Sequence, residues 1–347
     1  MLTARQNFIE CITEGGTPDR MSNQFESLKM AFNPSTLHSK SPQKGELDVK
    51  NAWGVTYSFP ENVPAGFPVH TADKVVIKDI EEWQKYVKAP SLDFPGEERD
   101  MFRAQYDAID RERALATTFV APGIFEQCHH LGEMSETLVN LAAYPDEMHD
   151  LIKYIKDYEL KLAELICDKL KPDAVFHHDD WGGQKTTFMS PSMFEDYFVE
   201  PYKEVYGYYH DHGVKYVIHH SDSYAATLVP SMIEMGIDVW QGCFSTNDLP
   251  TLIKKYGGKI SFMGGIENCL VDYEGWTREN IHDVVYRTIE ECGSKYFIPC
   301  IAQGGSGSVF PGVYTVMGEE IDRYNIENFG CKQEDLDAAR LVEEIMF

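Results

Sequence analysis

The chain has 347 residues, 43% of them hydrophobic and 25% charged, which is enough for two ordinary domains or one large α/β barrel. Its 31 basic and 56 acidic side chains give a net charge of −25, which argues against nonspecific binding to nucleic acid or to a membrane surface. The sequence contains no run of about 18 apolar residues, so it predicts no membrane span. The eight cysteines form no CxxC pair, so we expect reduced thiols and a cytoplasmic protein.

The first hundred residues show little periodicity. Residues 22–26 form a candidate first strand, and residues 33–44 are rich in Pro and Ser, which indicates a loop or a lid. Residues 53–60 and 68–70 predict a hairpin with an extended continuation. A short helix is predicted over residues 80–87.

After Asp107, strands alternate with helices. The predicted strands lie at residues 114–120, 173–176, 237–241, 259–263 and 295–299, with one more starting at Tyr216. The predicted helices cover residues 145–170, 190–212, 230–236, 247–256 and 276–292. With candidate strands at 22–26 and 65–71 the count reaches about eight, which favours a (β/α)8 TIM barrel over an open doubly wound sheet. We therefore predict a single α/β barrel domain over residues 1–347.

Polar residues follow most of the predicted strands. Active sites of (β/α)8 barrels lie at the carboxyl ends of the strands, so these side chains should meet at one rim. A single buried Cys or His usually has only a structural role, but so many at one rim predict a functional site. The residues are Glu126, His177 to Asp180, His219 to Asp222, Gln241, Cys243, Glu267 and Cys300.

Mixed nitrogen, sulfur and oxygen ligands from separate strands suit zinc. His220 and Asp222 are two residues apart, so in an extended segment they face the same way, whereas His219 faces the helices. Cys300 would complete the site from the last strand. Two alternatives stay open: a buried His–Asp hydrogen bond that holds a loop, and general acid–base catalysis without a metal. Candidates for catalysis are Asp180, His219 and Glu126.

Several segments resemble the uroporphyrinogen decarboxylase superfamily, and more closely its corrinoid-dependent methyltransferase branch. They are residues 1–8 with Thr17 to Arg20, Asp179 to Gly182 with Ser190-Pro191, Gly236 to Asp238, and Gly264 to Glu267. The resemblance covers nearly the whole chain and implies a uroporphyrinogen decarboxylase-like barrel with an irregular N-terminal insertion. Residues 33–70 would then form a lid over the barrel mouth. The arginine-containing N-terminal signature of the true decarboxylases has no match, which argues against porphyrin decarboxylation.

In the methyltransferase branch, a His-x-Cys motif and a later Cys bind zinc. The matching positions here are His220-Ser221-Asp222 and Cys300, so a carboxylate replaces one thiolate. The resemblance leaves Cys243 and Glu267 as candidates for the fourth ligand. A zinc ion with fewer thiolates is a better Lewis acid for an ether oxygen. In this ligand set and its expected chemistry, the chain resembles methyltransferase I of anaerobic O-demethylases.

The resemblance implies methyl transfer from a methoxylated, preferably aromatic, compound to the Co(I) corrinoid of a separate protein. Zinc would be the bound cofactor, the corrinoid would arrive on a partner, and a homodimer is expected because family members often dimerise. Candidate substrate-binding residues are His178, Trp181, Tyr224, Trp240 and Phe310. The alternatives are a methylcobalamin:thiol methyltransferase, a metal-free decarboxylase acting on another acid, and a non-catalytic binding protein.

Overall fold

The computed structural model describes residues 1–39, 41–63 and 65–341. Those parts of the predicted domain 1–347 and of the predicted lid 33–70 that fall on residues 40, 64 and 342–347 lie outside the described residues. The strands, numbered in chain order, are β1 Leu28–Ala31, β2 Val49–Lys50, β3 Thr56–Ser58, β4 Phe67–Pro68, β5 Leu115–Val120, β6 Ala174–His178, β7 Tyr216–His220, β8 Val239–Cys243, β9 Ser261–Ile266 and β10 Phe297–Ile301.

Seven of these strands form one parallel sheet in the order β1-β5-β6-β7-β8-β9-β10. Apart from the short β2 to β4, neighbours in this sheet are neighbours in the chain, as βα units require. The backbone N–H of Gln24 donates to the carbonyl of Pro299 over 3.2 Å, so the segment before β1 lies against β10. The sheet is therefore curled, and its two edges approach each other.

Helices surround this sheet. They are α1 Ala4–Ile12, α2 Gly96–Asp107, α3 Ile124–Gly132, α4 Met134–Ala143, α5 Pro145–Leu165, α6 Pro191–Phe194, α7 Glu200–Asp211, α8 Val229–Met235, α9 Leu249–Tyr256, α10 Asn268–Val271, α11 Arg278–Cys292, α12 Val313–Phe329 and α13 Gln333–Ala339. Two π-helical segments, Ile166–Leu170 and Glu195–Val199, continue α5 and join α6 to α7. Across the described residues, no helix combines the length and apolarity needed to cross a membrane.

The sequence explains where several helices begin and end. Pro145 occupies the first turn of α5, where a missing N–H costs no hydrogen bond, and Ser190 caps α6 by accepting from the N–H of Met193. Gly236 ends α8 in the left-handed conformation, which glycine adopts without strain. Each of these boundaries agrees with the sequence prediction.

The structure corrects the predicted strand count of about eight to seven. Residues 22–26 turn instead of forming a strand, with Gln24 at φ 48°, and the first strand begins at Leu28. The candidate strand at 65–71 is not part of the barrel. Instead β4 completes a small antiparallel sheet with β2 and β3, which confirms the predicted hairpin.

Candidate functional site

Strand register decides which histidines face the interior. His178, His220 and Gln241 are aligned across β6, β7 and β8. Residues aligned in this way point to the same side of a sheet, and their sequence neighbours point to the other side. His178 and His220 accordingly lie face to face, with ring centroids 4.5 Å apart.

Two carboxylates join these histidines at the carboxyl ends of the strands. Donor atoms of His178, Asp180 and His220 all lie within 4.8 Å of one another, close enough to hold one metal ion. Asp222 is adjacent, with an oxygen 3.9 Å from Nε2 of His220 and its backbone N–H donating to Asp180 over 2.9 Å. His178, Asp180, His220 and Asp222 are called the rim cluster below.

Both rim histidines have one nitrogen fixed by a neighbour. Nδ1 of His220 contacts the side-chain oxygen of Gln241, and Nδ1 of His178 lies 2.8 Å from a carboxylate oxygen of Glu126. Because these oxygens accept, each Nδ1 carries the proton. Nε2 of His220 is then the nitrogen that can bind a metal. A metal-bound histidine usually donates its other ring N–H to an acceptor, as Nδ1 of His220 does here to Gln241.

The charges of the rim cluster favour a bound cation. Burial raises the pKa of Asp222, and the negative charge of Asp180 raises it further. Burial lowers the pKa of His220, so its ring is neutral near pH 7. Burial opposes protonation of His178, but the Glu126 carboxylate prevails and raises the pKa of His178 to about 10. One imidazolium thus lies among three acidic groups, and a bound divalent ion would favour the carboxylate form of Asp222.

Asp179 joins β6 to the start of α3. Its carboxylate accepts hydrogen bonds from the backbone N–H groups of Phe125 and Glu126, at 3.0 and 2.7 Å, and from the indole of Trp181 at 3.0 Å. The hydroxyl of Tyr202 also donates to it. These bonds place Glu126 beside His178, so Asp179 has a positioning role that the sequence did not reveal.

Gly242 permits the approach of β8 to the rim cluster. It adopts φ 94°, and a Cβ at this position would lie 2.8 Å from the carbonyl oxygen of Ser221 and 2.9 Å from the backbone of Asp222. A side chain there would displace Asp222. The local irregularity of β8 between Gln241 and Cys243 arises at the same glycine.

A cavity of about 570 Å³ opens beside the rim cluster. Glu126 and His178 form part of its wall, and Phe119 and Pro122 contribute from β5 and the following turn. Ala121 and His130 also line it, and the rest of its lining comes from the N-terminal region, namely Phe32, Ser35, Thr36, Ser39, Ser41, Asn51, Tyr57 and Gly66. Described parts of residues 33–70 therefore adjoin the candidate site, although their role as a lid stays a prediction.

The predicted sulfur and glutamate ligands each have a hydrogen-bond partner outside the rim cluster. Cys300 is fully buried within β10, which begins two residues later than predicted, and it hydrogen-bonds the side chain of Gln241. Cys243 is also fully buried and donates to the carbonyl of Trp240. Glu267 accepts from the backbone and hydroxyl of Ser245. The side chains that the structure brings together as possible metal ligands are His178, Asp180 and His220, with Asp222 adjacent, and ligation by Cys300, Cys243 or Glu267 stays a prediction.

The three predicted catalytic residues separate into two groups. Asp180 and Glu126 lie at the site, as described above. His219 points outward and is fully buried, with Nδ1 2.9 Å from the hydroxyl of Tyr206 and Nε2 3.1 Å from the carbonyl of Asp179. Both nitrogens of His219 are thus hydrogen-bonded within the core, and its catalytic role stays a prediction.

Aromatic residues at the cavity differ from those predicted. Trp181 and Trp240 are fully buried in the core, Tyr224 is half-buried, and Phe310 is an exposed loop residue. Phe32, Tyr57 and Phe119 line the cavity instead. The sequence analysis named none of these three, and the available signal for Phe119 was its position one residue before the end of β5.

No protein-family model and no curated protein matches the sequence. One similar solved structure is a methyltransferase from Methanosarcina mazei, with a TM-score of 0.66 and 10% identity over 93% of this chain and 99% of that chain. An endo-β-1,4-mannanase double mutant from Cellulomonas fimi has a TM-score of 0.43 and 14% identity over 94% of this chain and 75% of that chain. The similarity to the methyltransferase shows a shared fold, whereas the TM-score of the mannanase is too low to support a conclusion.

Proposed function

We propose that this protein is a metal-dependent methyltransferase that removes a methyl group from a methoxylated compound. The observation that carries the proposal is the rim cluster, in which Gln241 orients His220 toward two carboxylates beside a cavity. The fold shared with a methyltransferase from Methanosarcina mazei supports the same reaction class.

Zinc fits the donor atoms of the rim cluster. His220, Asp180 and Asp222 would hold it, because one neutral imidazole and two carboxylates are common zinc ligands. Bound there, zinc would supply Lewis acidity to the ether oxygen of the substrate. Burial and the charge of Asp180 raise the pKa of Asp222 to about 8, so a bound cation would favour its carboxylate form.

His178 is suited to a different task. Its Nδ1–H is held by Glu126, and the raised pKa keeps the ring cationic near neutral pH. A cationic imidazole does not ligate a metal, but it can give its Nε2 proton to the oxygen from which the methyl group departs. Glu126 positions His178 and stabilises its charge.

The methyl acceptor in this proposal is the Co(I) corrinoid of a separate protein. The cavity opens at the barrel mouth between β5 and the N-terminal region, so the partner would approach from that side. Phe32, Tyr57 and Phe119 offer aromatic surface for a methoxyarene.

The direct test measures transfer from a panel of methoxyarenes to cob(I)alamin in solution, under reducing conditions and with zinc present. We expect phenol release together with loss of the cob(I)alamin absorbance, reduced at least 100-fold in His220→Ala and unaffected in His212→Ala. If no methoxyarene is demethylated by the zinc-loaded protein, the proposed function is wrong. Carbon dioxide release from a carboxylic acid without added metal would instead favour a decarboxylase.

Zinc binding by Cys300→Ala tests the ligand set separately. The structure places Gln241 between Cys300 and His220, so this variant should keep the zinc affinity of the wild type within a few-fold. A loss comparable to that of His220→Ala would show that the thiolate is a ligand, as the sequence resemblance implies.

A further inference from the structure

A second group of metal-binding side chains lies on α3. Glu126, His129 and His130 are three and four residues apart, so they share one face of the helix. Their donor atoms all lie within 4.8 Å of one another. Neither His129 nor His130 belongs to the rim cluster, and the methyl-transfer proposal gives them no role.

The two imidazoles are available as ligands. Burial and the neighbouring His70 lower the pKa of His129 to about 4, and burial lowers the pKa of His130 well below its usual value. Neutral imidazoles retain a lone pair, so a metal does not have to displace a proton from either ring. Nδ1 of His130 is 3.1 Å from the hydroxyl of Tyr57, which fixes the ring and leaves its Nε2.

The two carboxylate oxygens of Glu126 can serve two different partners. Its Oε2 accepts from His178, which leaves Oε1 for the face that carries His129 and His130. The carboxyl is almost fully buried, and burial raises its pKa. Because a buried carboxylate is stabilised by positive charge beside it, a cation bound by His129 and His130 would stabilise the charged form of Glu126.

We propose that Glu126, His129 and His130 form a second site for a divalent transition-metal ion. Two imidazoles and one carboxylate suit Zn²⁺, Co²⁺ or Fe²⁺ rather than Ca²⁺ or Mg²⁺, which take mostly oxygen ligands. Metal bonds of about 2.0–2.2 Å require donor atoms roughly 3–3.5 Å apart. Side-chain rotations that move the donor atoms by less than about 2 Å would bring them from their present separations to these distances. His130 and Glu126 also line the cavity, so the site adjoins it.

The two sites would share Glu126 as a common neighbour. At the rim cluster this carboxylate acts through His178, whereas on α3 it contacts the ion directly. Tyr57 of β3 holds His130, so the second ion would also connect α3 to the small antiparallel sheet. This site does not depend on the proposed methyl transfer.

The test counts Co²⁺ ions in full-length protein that has been stripped with a chelator and dialysed against Co²⁺ without oxygen. We expect two ions per chain in the wild type, one in the double variant His129→Ala/His130→Ala and one in His220→Ala. A matched control, His149→Ala/His212→Ala, removes two exposed histidines elsewhere and should keep both ions. Far-ultraviolet circular dichroism establishes that each variant is folded.

The single variant His129→Asn provides a second measurement if the double variant does not fold. We expect it to weaken binding of one of the two ions at least tenfold and to leave the other unchanged. Two ions retained at wild-type affinity in both α3 variants would overturn the second site. One ion per wild-type chain, lost only in His220→Ala, would also overturn it but leave the proposed function intact. One ion lost only in the α3 variants would support the second site and contradict the rim-cluster metal.

Discussion

At the scale of single residues, the orientation of His220 depends on Gln241. The side chain of Gln241 accepts from Nδ1 of His220 and donates to the carbonyl of Ile301, which it reaches over 3.4 Å. These two contacts assign the amide oxygen to the histidine side. Gln241 therefore selects the tautomer in which Nε2 faces the rim cluster.

Gln241→Leu should lower zinc affinity at the rim cluster by about 10- to 100-fold, because the lost acceptor frees the His220 ring to turn or change tautomer. Gln241→Glu keeps an acceptor oxygen and should retain most of the affinity. Competition against a chromophoric chelator measures both. Equal affinities in the leucine variant and the wild type would show that His220 needs no such support.

Asp179 supports the site through the backbone of α3. Burial raises the pKa of its carboxyl, whereas four hydrogen-bond donors stabilise the carboxylate form. Asp179→Asn places an amide group among donors only, and it should lower the free energy of unfolding by roughly 3 kcal/mol. Asp180→Asn is the matched control, with a change of less than about 1 kcal/mol expected. Urea denaturation compares them, and equal losses would contradict this role of Asp179.

At the scale of elements, alternation of strands and helices was sufficient to predict the architecture. Long helices were predicted well because Pro145 begins α5, whose apolar residues recur at helical spacing, and because Ser190-Pro191 marks the start of the predicted helix 190–212, which the structure divides into α6, a π-helical segment and α7. Strand boundaries were less certain, since β8, β9 and β10 each begin two residues later than predicted. A buried parallel strand has no alternation of polar and apolar residues that would fix its ends.

The candidate site was only partly predicted, because part of its geometry is set by tertiary packing. His220, Asp222 and the outward direction of His219 follow from local alternation along β7, and the structure agrees with each. The position of Cys300 depends on the register of β10 and on the side chain of Gln241, which are set by tertiary packing. The local periodicity of the sequence predicts neither the register of β10 nor the position of the Gln241 side chain.

Gly242→Ala tests how closely β8 must approach β7. The positive φ and the contact of the added Cβ with Ser221 and Asp222 should lower the free energy of unfolding by roughly 2–4 kcal/mol and weaken metal binding at the rim cluster. Gly207→Ala, within α7 and with open space around it, should instead stabilise the protein by about 0.5–1 kcal/mol. Chemical denaturation of the two variants gives both numbers. A neutral Gly242→Ala would mean that the strand end shifts freely.

At the scale of the whole molecule, the seven-stranded sheet must be held closed where β10 meets the segment before β1. The backbone bond from Gln24 to Pro299 crosses this gap, and α12 lies against the segment before β1, where the side-chain amide of Asn23 donates to the carbonyl of Gly318 over 2.8 Å. Arg340, which follows α13, donates to both oxygens of Asp322 on α12, at 2.7 and 3.0 Å. Its Nε also lies 3.3 Å from Glu26. One cation thus connects the first and last parts of the barrel.

Arg340→Met should therefore destabilise the whole barrel. It retains the aliphatic volume but leaves Glu26 and Asp322, both nearly buried, with less compensating charge, and removal of one partner from a buried ion pair costs roughly 3–5 kcal/mol. Lys153→Met is the control, because Lys153 is exposed on α5 and its ion pair with Asp157 is a surface contact, so its loss should leave the stability nearly unchanged. Guanidinium denaturation followed by tryptophan fluorescence should show a single transition shifted to lower denaturant in Arg340→Met alone. Equal shifts in the two variants would mean that the chain closes the barrel without this cation.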